Sequence, residues 1–167
     1  MNGRQRDVSA AAEHTLLEVL RDELELAGVR EACGVGMCGA CTVLLDGKAV
    51  SSCLVLAALG EGHEIVTMDG LPNPDPVQDA FVEHTAFQCS YCTPGFVLAT
   101  HALLAENPNP TPSEIREYLA GNLCRCGSYL HIEAAIVDAA RHRAQSSVRD
   151  PASIDHQRVS IDIVGLS

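Results

Sequence analysis

The stretch Ala32 to Val43, ACGVGMCGACTV, decides how this chain is read. With Cys53 it spaces four cysteines as Cys33-x4-Cys38-x2-Cys41-x11-Cys53, and the x4, x2 grammar is that of a plant-type 2Fe-2S loop. Such a core presents four outward positions, and a tight loop must bring three sulfurs to one side of it. Gly34, Gly36 and Gly39 allow the necessary positive-φ turns and bring N–H groups near the sulfurs, where hydrogen bonds tune the potential. Met37 reads as apolar cover over that loop.

The other four of the eight cysteines run Cys89-x2-Cys92-x31-Cys124-x-Cys126, a spacing with no general rule behind it. A disulfide framework is disfavoured, because the polar start MNGRQRDV is followed by no apolar signal region. Two all-cysteine zinc sites are the stronger rival, since zinc also takes four thiolates. Zinc ribbons pair two short knuckles, however, and Cys53 stands well apart from the first three ligands. None of the seven histidines sits in a Rieske-type spacing.

Composition sets outer limits. A net charge of −11 argues against nucleic-acid binding and is compatible with steering toward a basic redox partner. No run approaches the ~18 apolar residues of a membrane span, so a soluble protein without membrane insertion is expected. A length of 167 residues accommodates two small domains if two metal sites staple them.

The grammar of the chain changes near residue 74. Before it, Asn2-Gly3 and Asp46-Gly47 are hairpin turns, while Arg4 to Ala10, Thr42 to Leu45, Ala49 to Ser51 and Glu64 to Thr67 read as strands. Leu17, Leu20, Leu24 and Ala27 mark one helical face that stops at Gly28. After the turn-rich Gly70 to Pro76, four short helices are expected. Val77 to His84 is the first, and the second starts with Thr93 as N-cap and Pro94 at N1 and runs, buried, to Glu106. The third opens with the capping box at Thr111 to Glu114, and the fourth carries the stripe Ile132, Ala135, Ile136, Ala139 and Ala140. The expected class is α+β: a β-grasp, ferredoxin-like domain over residues 1–73, a four-helix bundle domain over 74–144 around a second, more buried cluster, and a tail over 145–167. Within that tail Val159 to Val164 could form a strand or dock on a partner.

The strings QCSYCTPG (Gln88 to Gly95) and GNLCRCGSY (Gly121 to Tyr129), with ACGVGMCGACTV, resemble the small iron-sulfur subunit of the xanthine oxidase family of molybdenum hydroxylases, from about residue 2 to residue 143. The resemblance implies an electron-transfer subunit with no catalytic residue of its own. Cys33, Cys38, Cys41 and Cys53 would hold a 2Fe-2S cluster facing FAD on a medium subunit. Cys89, Cys92, Cys124 and Cys126 would hold one beside a molybdenum-pterin cofactor on a large subunit, with Gln88 and Cys126 contacting the pterin. It further implies a dimer of heterotrimers in the cytoplasm. Arg125, between two ligands, would pair with a carboxylate or with backbone, or else be a plain surface arginine. Two features depart from the pattern: no strand precedes the Asn2-Gly3 turn, leaving a strand edge open, and Gly127-Ser128-Tyr129 stands where Thr-Gly-Tyr is commonest. The second variant points to an N-heteroaromatic or aldehyde substrate, and to a cytochrome as a possible acceptor in place of the flavin. A free-standing two-cluster ferredoxin and a zinc-stapled interaction module are the alternatives.

Overall fold

The computed structural model describes residues 1–146 and 160–164. Chain order is β1 (Asp7–Ala11), α1 (Leu16–Glu18) running into a π-helical turn (Val19–Glu23), β2 (Thr42–Leu45), β3 (Lys48–Ser51), β4 (Ile65–Val66), then α2 (Pro76–Glu83), α3 (Thr93–Glu106), α4 (Pro112–Tyr118), α5 (Tyr129–Ser146) and β5 (Ser160–Val164). Both turn signals form, but only the second joins two strands into a hairpin. Asn2 and Gly3 adopt φ of 48° and 66°, closed by the Arg4 N–H on the Met1 carbonyl at 2.9 Å. Asp46 and Gly47, at 49° and 78°, join β2 to β3 with Leu45 opposite Lys48. The sheet order is β3-β2-β4, both pairings antiparallel.

The first helix is shorter than its apolar stripe. A Thr15/Glu18 capping box starts it, but Leu24 donates to the Val19 carbonyl, five residues back, and Glu25 then takes φ of 52°. The wider turn swings Leu24 and Leu26 back onto the core made by Leu16, Leu17, Leu20, Val29, Val43 and Ile65. Packing therefore ends the helix before Gly28 does.

After residue 75 the helices pack around α3. Phe96, Val97, Ala99, Leu103 and Leu104 face a core shared with Val77, Phe81 and the Ile132/Ala135/Ile136/Ala139 stripe of α5. On its other side Leu98 and Ala102 pack on Leu44 of β2. That two-sided burial fits a helix apolar all round, and it ties the helical part to the sheet. Two expectations need correction here. Thr93 is not the N-cap: Ser90, at φ of 65°, turns the chain early, so Cys92 caps α3 and the Thr93 hydroxyl is buried without a partner among the described residues. The fourth helix is not short: it runs for 18 residues, its buried stripe lying between Ile132 and Ala140.

The tail contributes β5, paired parallel to β1 from Asp7 opposite Ser160 to Ala11 opposite Val164. One edge of β1 is thus covered by the chain itself, in a two-stranded sheet apart from β2, β3 and β4. Val159 lies outside the described residues.

Asp75 caps α2 by accepting from Val77 and Gln78 at 3.1 and 2.9 Å, and is itself buried against His101 at 3.1 Å. Burial alone would raise its pKa, but the His101 imidazole and the Gln78 and Val77 N–H groups outweigh that and hold the carboxyl below its ordinary range. A carboxyl depressed in the folded state stabilises above its unfolded value of about 3.9, and the contribution disappears as pH falls through the lower folded value. Asp75→Ala is expected to cost about 1 kcal/mol at pH 7 and to lose that deficit at strongly acidic pH, as read by urea titrations at several pH values. Ile136→Ala, which deletes a fully buried side chain in the α3/α5 core, is expected to cost about 2–5 kcal/mol at any pH in the same assay.

Candidate metal centres

The loop after the first helix brings Cys33, Cys38 and Cys41 together by the turns its glycines permit, with φ of 65° at Gly34, 74° at Gly36 and 67° at Gly39. The Met37 N–H points at the Cys33 sulfur at 3.3 Å. The Val35 N–H, the Cys38 thiol and the Met37 N–H together lower the Cys33 thiol to about 7. Cys53 arrives from the far side, in the 3-10 turn that follows β3. Ser52 anchors that turn by donating from its N–H and hydroxyl to the Cys41 carbonyl, at 3.3 and 2.8 Å. Burial, then the Cys41 thiol, push Cys53 up to about 11. The side chains meet as two pairs, Cys33 with Cys38 and Cys41 with Cys53.

The second quartet also forms two pairs, Cys89 with Cys126 and Cys92 with Cys124. The left-handed Ser90 folds Cys89 back over the start of α3, and Gly127, at φ of 77°, turns the 124–126 segment and donates to the Cys124 carbonyl at 3.1 Å. The Cys124 N–H is held by the Tyr129 hydroxyl at 2.9 Å. Burial pushes Cys92 up to about 12. At Cys124 burial also acts upward, but the Ser128 N–H and the Cys92 thiol prevail and lower it. Gln88 Nε2 donates to the Cys126 carbonyl at 3.4 Å, so two sequence-distant candidates meet.

This second site is not the more buried of the two, contrary to expectation. Cys89 is exposed and Cys126 half-exposed, because both lie on loops at the end of the helices and outside their core. Arg125 is exposed and forms no ion pair among the described residues.

Each site offers two thiol pairs, which is what a core with two iron atoms needs, one pair for each. The two sites also touch through backbone: the Leu123 N–H, next to Cys124, donates to the Cys38 carbonyl at 2.9 Å. A cavity of about 350 Å³ lies beside α4 and α5, and a larger one of 630 Å³ lies between the quartets, lined by Cys38, Cys89, Cys92, Cys124, Tyr91 and Leu123. Tyr91 closes one side, its hydroxyl donating to the Glu31 carbonyl and its ring under the Arg30 guanidinium at 5.7 Å.

Comparison with known proteins places both segments in 2Fe-2S families. Residues 1–66 match the family described as 2Fe-2S iron-sulfur cluster binding domain, and residues 67–137 match the [2Fe-2S] binding domain family. The small subunit of nicotine 6-hydroxylase from Paenarthrobacter nicotinovorans is 48% identical over 141 residues, covering 83% of this chain and 86% of that one. This chain belongs to the small iron-sulfur subunits of the molybdenum hydroxylases. Two solved structures extend the relation. Quinoline 2-oxidoreductase from Pseudomonas putida 86 superimposes with a TM-score of 0.78 at 38% identity, covering 85% of this chain and 95% of that chain. The aldehyde oxidoreductase from Desulfovibrio gigas gives 0.79 at 32% identity over 90% of this chain, which spans 19% of that longer protein.

Sequence reasoning missed Asn122, Tyr91 and Tyr129, whose side chains fix the loops around the ligands. Each lies inside a string already noticed for its cysteines, so position within the motif was the available signal. Gly39 shows how tight these loops are. An added methyl would meet Asn122 Nδ2 at 2.4 Å and the Gly121 carbonyl at 2.7 Å, whereas one on Gly121 meets nothing within 4 Å. Gly39→Ala is therefore expected to cost at least about 1–2 kcal/mol from its backbone conformation alone, against within about 0.5 kcal/mol for Gly121→Ala. Melting of the two iron-loaded variants side by side checks the contrast.

Proposed function

We propose that Cys33, Cys38, Cys41 and Cys53 hold one 2Fe-2S cluster and that Cys89, Cys92, Cys124 and Cys126 hold the other. The first sits in a ferredoxin-like β-grasp domain over residues 1–73, the second in a four-helix bundle domain over 74–144, with 145–167 as a tail. The observation that carries this reading is the gathering of eight thiols into two sets of two pairs, joined by one backbone hydrogen bond. When bound, each cluster supplies a one-electron redox site.

The chain's own residues supply the rest. Gly34, Gly36 and Gly39 turn N–H groups onto the sulfurs, and buried Ala40 and Cys41 keep water from the inner side of the first site. The Leu123 to Cys38 bond leaves only one non-covalent link in the backbone route between ligand residues of the two quartets. Gln88 and Cys126, on the exposed side of the second site, face the pterin of a molybdenum-binding large subunit in this reading. Val35, Met37 and Leu54 rim the first site at 62, 72 and 66% exposure, and face a medium subunit carrying FAD. An apolar rim of that kind favours a lasting partner over a free shuttle with an acidic docking face.

The assembly we propose is a cytoplasmic dimer of heterotrimers. Its substrate class is an N-heteroaromatic ring or an aldehyde, in keeping with relatives named for nicotine, quinoline and aldehyde; the substrate pocket lies in the large subunit.

Cys124→Ser in the assembled complex tests the assignment. It is expected to remove one of two 2Fe-2S signals in low-temperature EPR, leave the other intact, and cut electron flow from substrate to acceptor by at least about tenfold. Full turnover after complete loss of that signal would contradict it. Gln88→Ala is expected to keep both signals and weaken the hold on the pterin-bearing subunit by about 1–2 kcal/mol, measured as subunit dissociation by analytical ultracentrifugation.

A further inference from the structure

Asn122 stands two residues before Cys124 and is 8% exposed, at the end of the 3-10 turn Leu119–Gly121, where its N–H donates to the Leu119 carbonyl at 2.9 Å. Its side chain leaves the helical part altogether. Nδ2 donates to the Gly39 carbonyl at 3.1 Å and lies 3.3 Å from Thr42 Oγ1, both in the loop that gathers the first quartet. The same carbonyl accepts from the Thr42 hydroxyl at 2.7 Å and the Thr42 N–H at 3.2 Å. Gly95 of α3 closes this socket, since a methyl there would lie 2.2 Å from the Gly39 oxygen.

The next residue repeats the grip, with Leu123 donating to the Cys38 carbonyl. Two consecutive residues thus hold two consecutive carbonyls of the other loop. One hydrogen bond between loops fixes a distance and leaves rotation about it free; two from adjacent residues fix orientation as well. We infer that Asn122 is a positioning residue: through the Gly39 carbonyl it sets the separation and orientation of the two cluster-holding loops. A buried Asn that merely terminated a helical turn would need no partner in another part of the fold. This inference rests on the two-cluster reading above.

The test uses the assembled complex with Asn122→Asp, which keeps the shape and replaces a donor by a carboxylate, and Asn122→Ala. Both are expected to retain the iron of both sites. The magnetic splitting between the two reduced clusters should be lost or rescaled in EPR, and the Asp variant should shift the midpoint potential of the Cys33 site to more negative values while the Cys89 site holds. Variants that melt at lower temperature but keep the native splitting and both native potentials would overturn the inference and reduce Asn122 to a turn terminator. If neither variant folds, Thr42→Val removes a neighbouring donor from the same carbonyl and leaves Asn122 in place. It should rescale the splitting relative to the unmodified complex, and an unchanged splitting would overturn the inference. An unmodified complex lacking two signals would instead count against the two-cluster reading itself.

Discussion

A carbonyl pair and a donor pair hold this molecule's two functional loops in one frame. Cys38 and Gly39 offer their oxygens, and Leu123 and Asn122 supply the N–H groups that take them. The Gly39 carbonyl also accepts from Thr42 within its own loop, so the Asn122 and Leu123 donors add the tie between the loops. Much else serves that contact: Gly39 has φ of 67° so that its oxygen can reach the socket, Gly95 lacks a side chain so that α3 can come close, and Leu98 and Ala102 pack α3 on β2 to hold the approach. The same helix start carries Cys92, so helix packing and ligand placement are one problem.

The electrostatics of the quartets follow a common plan. Each combines a thiol lowered by backbone N–H groups, Cys33 or Cys89, with a thiol raised by burial, Cys53 or Cys92. The loop-borne members are presented to solvent and donors, and the inner members are tucked against the core. Such asymmetry gives each site a wet face and a dry face. The wet face of the first is rimmed by apolar Val35, Met37 and Leu54, and that of the second by Gln88 and Tyr91.

Much of this was legible in the residues, for reasons that differ by element. The turns at Asn2-Gly3 and Asp46-Gly47 follow from local φ preferences, and the Thr111/Glu114 capping box needs no tertiary partner. The α5 stripe declares its buried face by periodicity alone. What sequence did not reveal depends on contacts between distant segments. The π turn after Glu18 comes from Leu24 and Leu26 settling on a core that includes Ile65. The exposure of Cys89 depends on where its loop lands in the fold. Thr93 looked like an N-cap because Thr-Pro is a common start, but the left-handed Ser90 moved the start by one residue. Asn122 lies inside a string quoted for its cysteines, and only the fold brings it against Gly39.

The central claim is that this chain holds two 2Fe-2S clusters in a fixed frame as a working part of a molybdenum enzyme. Metal analysis and low-temperature EPR of the natively purified, dithionite-reduced complex address it most directly. About four irons per chain in two distinct 2Fe-2S signals are expected, with stoichiometric molybdenum on a co-eluting larger chain. Zinc in place of iron with no signal, or four irons on a chain that elutes alone without molybdenum, would contradict it.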